Sequence, residues 1–127
     1  MPASYAWMIS YDHISEPGEP APSNSNAKGM NGPYGADPVK IARLVEAIGR
    51  GRKHASEFPD VEWFKIYDDD GEVYYTGVRM GEAEEFGSEE GFEPLDDFGT
   101  PNAGAVRIDY LNVAKSAEAG KEIWEML

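Results

Sequence analysis

Residues 4–11, SYAWMISY, place apolar side chains on both alternating sets, Tyr5/Trp7/Ile9/Tyr11 and Ala6/Met8. A run apolar on both sets predicts a strand covered on both faces. The pattern then changes to the helical period. In ADPVKIARLVEAIGRGRKHA, residues 36–55, the positions Ile41, Leu44, Val45 and Ile48 recur at the spacing of one buried helix face. Asp37 is a good N-cap and Pro38 suits the first helical position. Gly49 and Gly51 predict an end near residue 50, with Arg52–Ser56 able to add one more turn, and Arg50, Arg52 and Lys53 complement the negative end of the helix.

Residues 61–67 and 73–78 are rich in β-branched and aromatic side chains, and Asp68-Asp69-Asp70-Gly71 lies between them. Asp-Gly predicts a hairpin, because a tight turn needs a positive φ that glycine adopts without strain. Residues 106–111 alternate Val106/Ile108/Tyr110 against Arg107/Asp109, the pattern of a half-buried strand. Ala117, Gly120, Trp124 and Leu127 then share one helical face, so a last helix capped by Ser116 is expected to run to residue 127. The order β-α-β-β-β-α predicts an α+β domain with a mostly antiparallel sheet of about four strands and two helices packed on it.

Two stretches have no period. Residues 15–37 are rich in Pro, Gly and Asn and read as a long flexible loop. Residues 80–105 mix acids with glycines and read as an irregular segment pinned to the core by Phe86, Phe92, Leu95 and Phe98. No internal repeat is visible, and a length of 127 residues implies a single domain spanning 1–127.

Composition changes this picture mainly through charge. The chain carries 24 acids against 11 Lys and Arg, for a formal net charge of −13. Fourteen of those acids and only two bases, Lys65 and Arg79, fall between residues 60 and 97. Leu, Ile, Val and Phe supply only 23 of 127 residues, a poverty seen in disordered chains, but seven Tyr, three Trp and five Phe argue for a folded core. The absence of cysteine excludes disulfides, thiol catalysis and cysteine–zinc sites. The first residues, MPASYAWMIS, do not read as a signal peptide and no run of ~20 apolar residues is present, so a soluble, cytoplasmic protein that does not engage a membrane is expected.

The motifs that suggest chemistry fail on spacing. If Gly71 were the sixth residue of a calcium loop, the first and twelfth ligands would be Ile66 and Gly77, which cannot coordinate. The DDDG stretch therefore reads as a turn. Asp96-Asp97-Phe98-Gly99 matches the kinase magnesium motif without a glycine-rich nucleotide loop or enough chain for that fold. GSEEG, residues 87–91, has its serine one position early for a nucleophile elbow. Asp12 and His13 are adjacent on a strand and so point to opposite faces, and the only other histidine, His54, completes no ligand spacing. No catalytic residue, metal or cofactor is expected. Trp7, Trp63, Tyr67, Tyr74 and Tyr75 could stack on bases, yet the acidic surroundings disfavour direct nucleic-acid binding.

The acidic third itself supports a different expectation. Carboxylates held on a folded scaffold can imitate the phosphates of a nucleic acid and occupy a basic DNA- or RNA-binding protein. The residues expected to do so are Glu82, Glu84, Glu85, Glu89, Glu90, Glu93, Asp96 and Asp97, with Phe92 and Phe98 as apolar anchors. The alternative is a small-molecule or peptide-binding module, or a modest enzyme, whose loop 15–37 meets the strand ends near His13, Asn24, Asn26, Tyr34 and Tyr110.

FKIYDDDGEVYYTG, residues 64–77, and FEPLDDFGTPNAG, residues 92–104, resemble segments of small uncharacterised acidic proteins of actinobacterial genomes and of their phages and mobile elements. That resemblance brings no catalytic residues with it. It implies an accessory protein of the anti-defence type, anti-CRISPR proteins among them.

Overall fold

The computed structural model describes residues 7–14, 23, 38–80, 94–95 and 100–126, with the side chains of 101 and 102 excepted. It is an α+β fold. The strands are β1 (Trp7–Asp12), β2 (Val61–Tyr67), β3 (Val73–Met80), β4 (Arg107–Leu111) and β5 (Trp124–Met126). Helix α1 (Pro38–Arg50) is followed by a 3-10 helix, Arg52–Glu57, and the short helices α2 (Thr100–Ala103) and α3 (Val113–Ala119) come later. The strands form one open sheet in the order β1-β3-β2-β4-β5, antiparallel throughout.

The β2–β3 hairpin is its centre. The pair runs from Val61 opposite Met80 to Tyr67 opposite Val73, and Gly71 takes φ +83° in the turn. Asp68 makes that turn: its Oδ1 accepts from the N–H groups of Asp70 and Glu72. Gly77 in β3 answers a close approach instead. A Cβ there would stand 2.5 Å from Phe64 Cζ and 2.6 Å from the carbonyl oxygen of Met8, so only glycine lets β1 and β2 close on β3 at this level.

Alternation along the strands divides the core in two. One face presents Met8, Val61, Trp63 and Val78 to Leu44, Ala47 and Ile48 of α1, the face predicted by the period-3.6 pattern. The other face presents Ile9, Phe64, Ile66, Tyr75, Ile108 and Tyr110, and Leu95 and Ala105 pack against it. Full burial of one such side chain stabilises by roughly 1.5–3 kcal/mol. Pro94 and Leu95 are buried, and Leu95 packs on this face of the sheet. Phe86, Phe92 and Phe98 lie outside the described residues.

The C-terminal stretch differs from its expectation. The last helix is short, is capped by Asn112 rather than Ser116, and gives way to a fifth strand, so the sheet has five strands and three α-helices are described. Asn112 Oδ1 accepts from the Lys115 N–H, and Gly120, in the left-handed region at φ 68°, closes the helix. Ser116 serves the reversal that follows, its hydroxyl accepting from the Ile123 N–H. Trp124 thereby reaches Leu111 as a strand neighbour. Val106 also differs: it precedes β4 and is exposed, although its N–H donates to the Tyr67 carbonyl.

Candidate functional site

The arginines of the fold occur in ion pairs. All five arginines of the chain meet a carboxylate: Arg43 with Asp60 at 3.0 Å, Arg50 with Glu57 at 3.0 Å, Arg52 with Glu122 at 2.7 Å, Arg79 with Glu62 at 3.0 Å and Arg107 with Asp109 at 2.9 Å. Hydrogen bonding to Arg43 holds the Asp60 carboxyl below the usual range, and Asp109 in turn raises the Arg107 guanidinium. Arg107 also lies 4.1 Å over the Tyr67 ring, and Arg52 stands between Trp63 and Trp124. These cations are spent inside the fold.

The deepest of the pairs sits on the α1-distal face. The Arg79 side chain is 1% exposed and Glu62 18%, and the guanidinium lies 5.9 Å from the Tyr110 ring. Burial pushes the Tyr110 hydroxyl well above its ordinary pKa, and the neighbouring Arg79 partly opposes the rise. Sequence reasoning missed this pair. Its signal was a lone arginine in a strand within an acid-rich third.

The hairpin tip is the opposite case. Asp69, Asp70 and Glu72 are exposed, and Asp68, Asp69 and Asp70 bring carboxylate oxygens within 4.8 Å of one another. Among the described residues none of the four acids from 68 to 72 is ion-paired, and Asp68 finds its partners in backbone N–H groups. The turn reading of DDDG accounts for this geometry, and its carboxylates are left facing water.

The expected mimic residues Glu82, Glu84, Glu85, Glu89, Glu90, Phe92, Glu93, Asp96, Asp97 and Phe98 lie outside the described residues, as do Asn24, Asn26 and Tyr34 of the alternative site. The two described members of that site do not meet. His13 shares a 2.7 Å hydrogen bond with the buried Thr76 hydroxyl and an edge contact with Tyr11. Tyr110 lies on the other face with Phe64, three strand spacings away, or ~14 Å. Of the remaining histidine, His54, the ring Nδ1 contacts Glu57 on the surface, and this contact is the first cause of the lowered Glu57 pKa.

One cavity is described at the end of the sheet opposite the hairpin tip. β2 pairs with β3 from Val61 onward but with β4 only from Phe64, opposite Tyr110. Beyond that point β4 follows β5, with the Asn112 N–H donating to the Ile123 carbonyl. The strands therefore splay, and a groove of about 490 Å³ opens between them. Phe58, Val61, Leu111 and Val113 give it apolar walls, and Glu62, Asn112 and Glu125 converge on it. Tyr110 lines it too, the one residue of the expected ligand site that a described cavity contains.

Compared with protein-family models, curated proteins and solved structures, the chain shows no significant match. No described helix is long and apolar enough to cross a membrane.

Proposed function

We propose that the chain is a non-enzymatic acidic binding protein that occupies a basic, nucleic-acid-binding partner in place of its nucleic acid. The observation that carries this reading is the uneven use of charge. Fourteen of the 24 acids but only two of the 11 Lys and Arg lie between residues 60 and 97, and all five arginines of the chain are ion-paired. By sequence the surplus falls on the hairpin tip and on residues 82–97, with no Lys or Arg between residues 66 and 78 or between 80 and 106. A stretch with a large excess of acids over bases sets up a negative field, and such a field can raise association rates toward ~10⁸–10⁹ M⁻¹s⁻¹ at low salt.

The residues assigned to contact are Glu82, Glu84, Glu85, Glu89, Glu90, Glu93, Asp96 and Asp97, with Phe92 and Phe98 as anchors, and the hairpin tip joins them as a second source of anionic charge. The likeness to acidic proteins of actinobacterial phages and mobile elements fits an inhibitor of a host defence protein, an anti-CRISPR type included.

The test is capture from host lysate by tagged protein, with duplex DNA and salt as competitors and a variant carrying Gln or Asn at the eight acids as the control. A nucleic-acid-binding protein that DNA displaces and the variant fails to hold is the expected result. Equal capture by both proteins, or capture of proteins indifferent to DNA, overturns the proposal.

A further inference from the structure

We infer that the groove between β2 and β4 is a binding site for a small organic cation with an apolar body, such as an arylalkylamine. This does not rest on the reading above, because the groove is at the other end of the sheet from the hairpin tip and is lined by other residues. Its volume of about 490 Å³ lies within the range of ligand sites, ~300–1,000 Å³. Its origin is backbone geometry: strands that separate after Phe64 and Tyr110 leave the space between them open.

The lining sets the ligand's chemistry. Phe58, Val61, Leu111 and Val113 ask for an apolar body. The ionisable carboxylates there are Glu62 and Glu125, and no Lys, Arg or His is among the lining residues. Both acids have cation partners, Arg79 and Lys115, yet neither partner lines the groove. Each pair thus places its acidic residue, and not its cation, on the wall of the groove. Hydrogen bonds from Lys115 and Asn112 keep the Glu125 carboxyl below its ordinary pKa, so that charge persists into mildly acid solution. Glu62, mostly buried beside an apolar wall, is the stronger determinant, because charge-assisted hydrogen bonds gain as water is excluded. An anionic ligand meets two carboxylates, and a neutral one forgoes the attraction.

A ¹H–¹⁵N NMR titration of the full chain with 2-phenylethylamine, and with 2-phenylethanol as its neutral counterpart, tests the inference. The amine should give saturable shifts at Val61, Leu111 and Val113, and the alcohol should bind at least about tenfold more weakly. Ala114 is exposed and lines the groove, so Ala114→Trp should fill it and abolish the shifts while the spectrum stays dispersed. Glu62→Gln should weaken the amine and leave the alcohol unchanged. Where that variant fails to fold beside Arg79, Glu125→Gln gives the same comparison at the rim. Equal binding of amine and alcohol, no saturable shift, or shifts at residues 68–72 that persist in Ala114→Trp overturns the assignment. The last pattern would mean that amines merely condense on an acidic surface.

Discussion

The two ends of the sheet use the same residue type in opposite ways. At the groove end each carboxylate is tied to a cation, Glu62 to Arg79 and Glu125 to Lys115. At the hairpin end Asp68, Asp69, Asp70 and Glu72 have no described cation, and the one that is engaged, Asp68, accepts backbone N–H groups. The difference separates charge that is already engaged within the fold from charge open to a distant macromolecular partner. A paired carboxylate holds the fold and presents little field to a distant partner. An unpaired exposed one contributes almost nothing to stability and is available for association.

Removing the cation from the deepest pair is the severest test of this comparison. Arg79→Ala leaves Glu62 without that partner beside Tyr110, and loss of one member of a buried pair costs about 3–5 kcal/mol, measured as a fall in the urea midpoint. An Arg79→Met, Glu62→Gln double substitution should recover much of that loss, since it leaves no buried charge behind. A loss below about 1 kcal/mol for Arg79→Ala would place Glu62 with the available acids rather than the structural ones.

The groove end should also depend on its cap. Asn112→Ala removes the acceptor of the Lys115 N–H and the donor to Glu125 Oε1, and should cost about 1 kcal/mol. The hairpin tip should behave otherwise: Asp69→Asn with Asp70→Asn should leave stability within about 0.5 kcal/mol of the parent, because no described ion pair is lost. Asp68→Ala, by contrast, should destabilise the turn, since two N–H groups lose their acceptor.

The smallest effect concerns pH. Arg43 depresses the folded-state pKa of Asp60 below its unfolded value. The pair's contribution is therefore present above the unfolded pKa and is lost as pH falls through the folded one. Asp60→Asn should reduce stability slightly at neutral pH and not at all in strong acid, a difference that thermal melts at the two pH values can read. Screening by solvent keeps it small, since both side chains are a third or more exposed.

Much of the fold was legible because local signals agreed. The helix period of Ile41, Leu44 and Ile48, the Asp-Gly turn and the two apolar sets of residues 4–11 each named an element that the sheet uses. The C-terminal stretch misled because Ala117, Gly120 and Trp124 keep a helical spacing that ends at a glycine. Gly120 belongs to the stripe by position and stops it by conformation. Nor could the groove be read from the chain. It arises where two strands separate, and strand register across β2 and β4 leaves no mark in either sequence alone. Of the expected ligand residues, His13 and Tyr110 looked like neighbours at strand ends, but strand order puts β3 and β2 between their strands.

The central claim, that the surplus acids are the binding surface, is tested most directly by the salt dependence of affinity for the captured partner. The parent chain and the variant with Gln or Asn at residues 82, 84, 85, 89, 90, 93, 96 and 97 should be compared from low to moderate salt. Steep weakening with salt is expected for the parent and little or no binding for the variant, with the fold of both intact. A variant that binds with unchanged affinity and unchanged salt slope would contradict it.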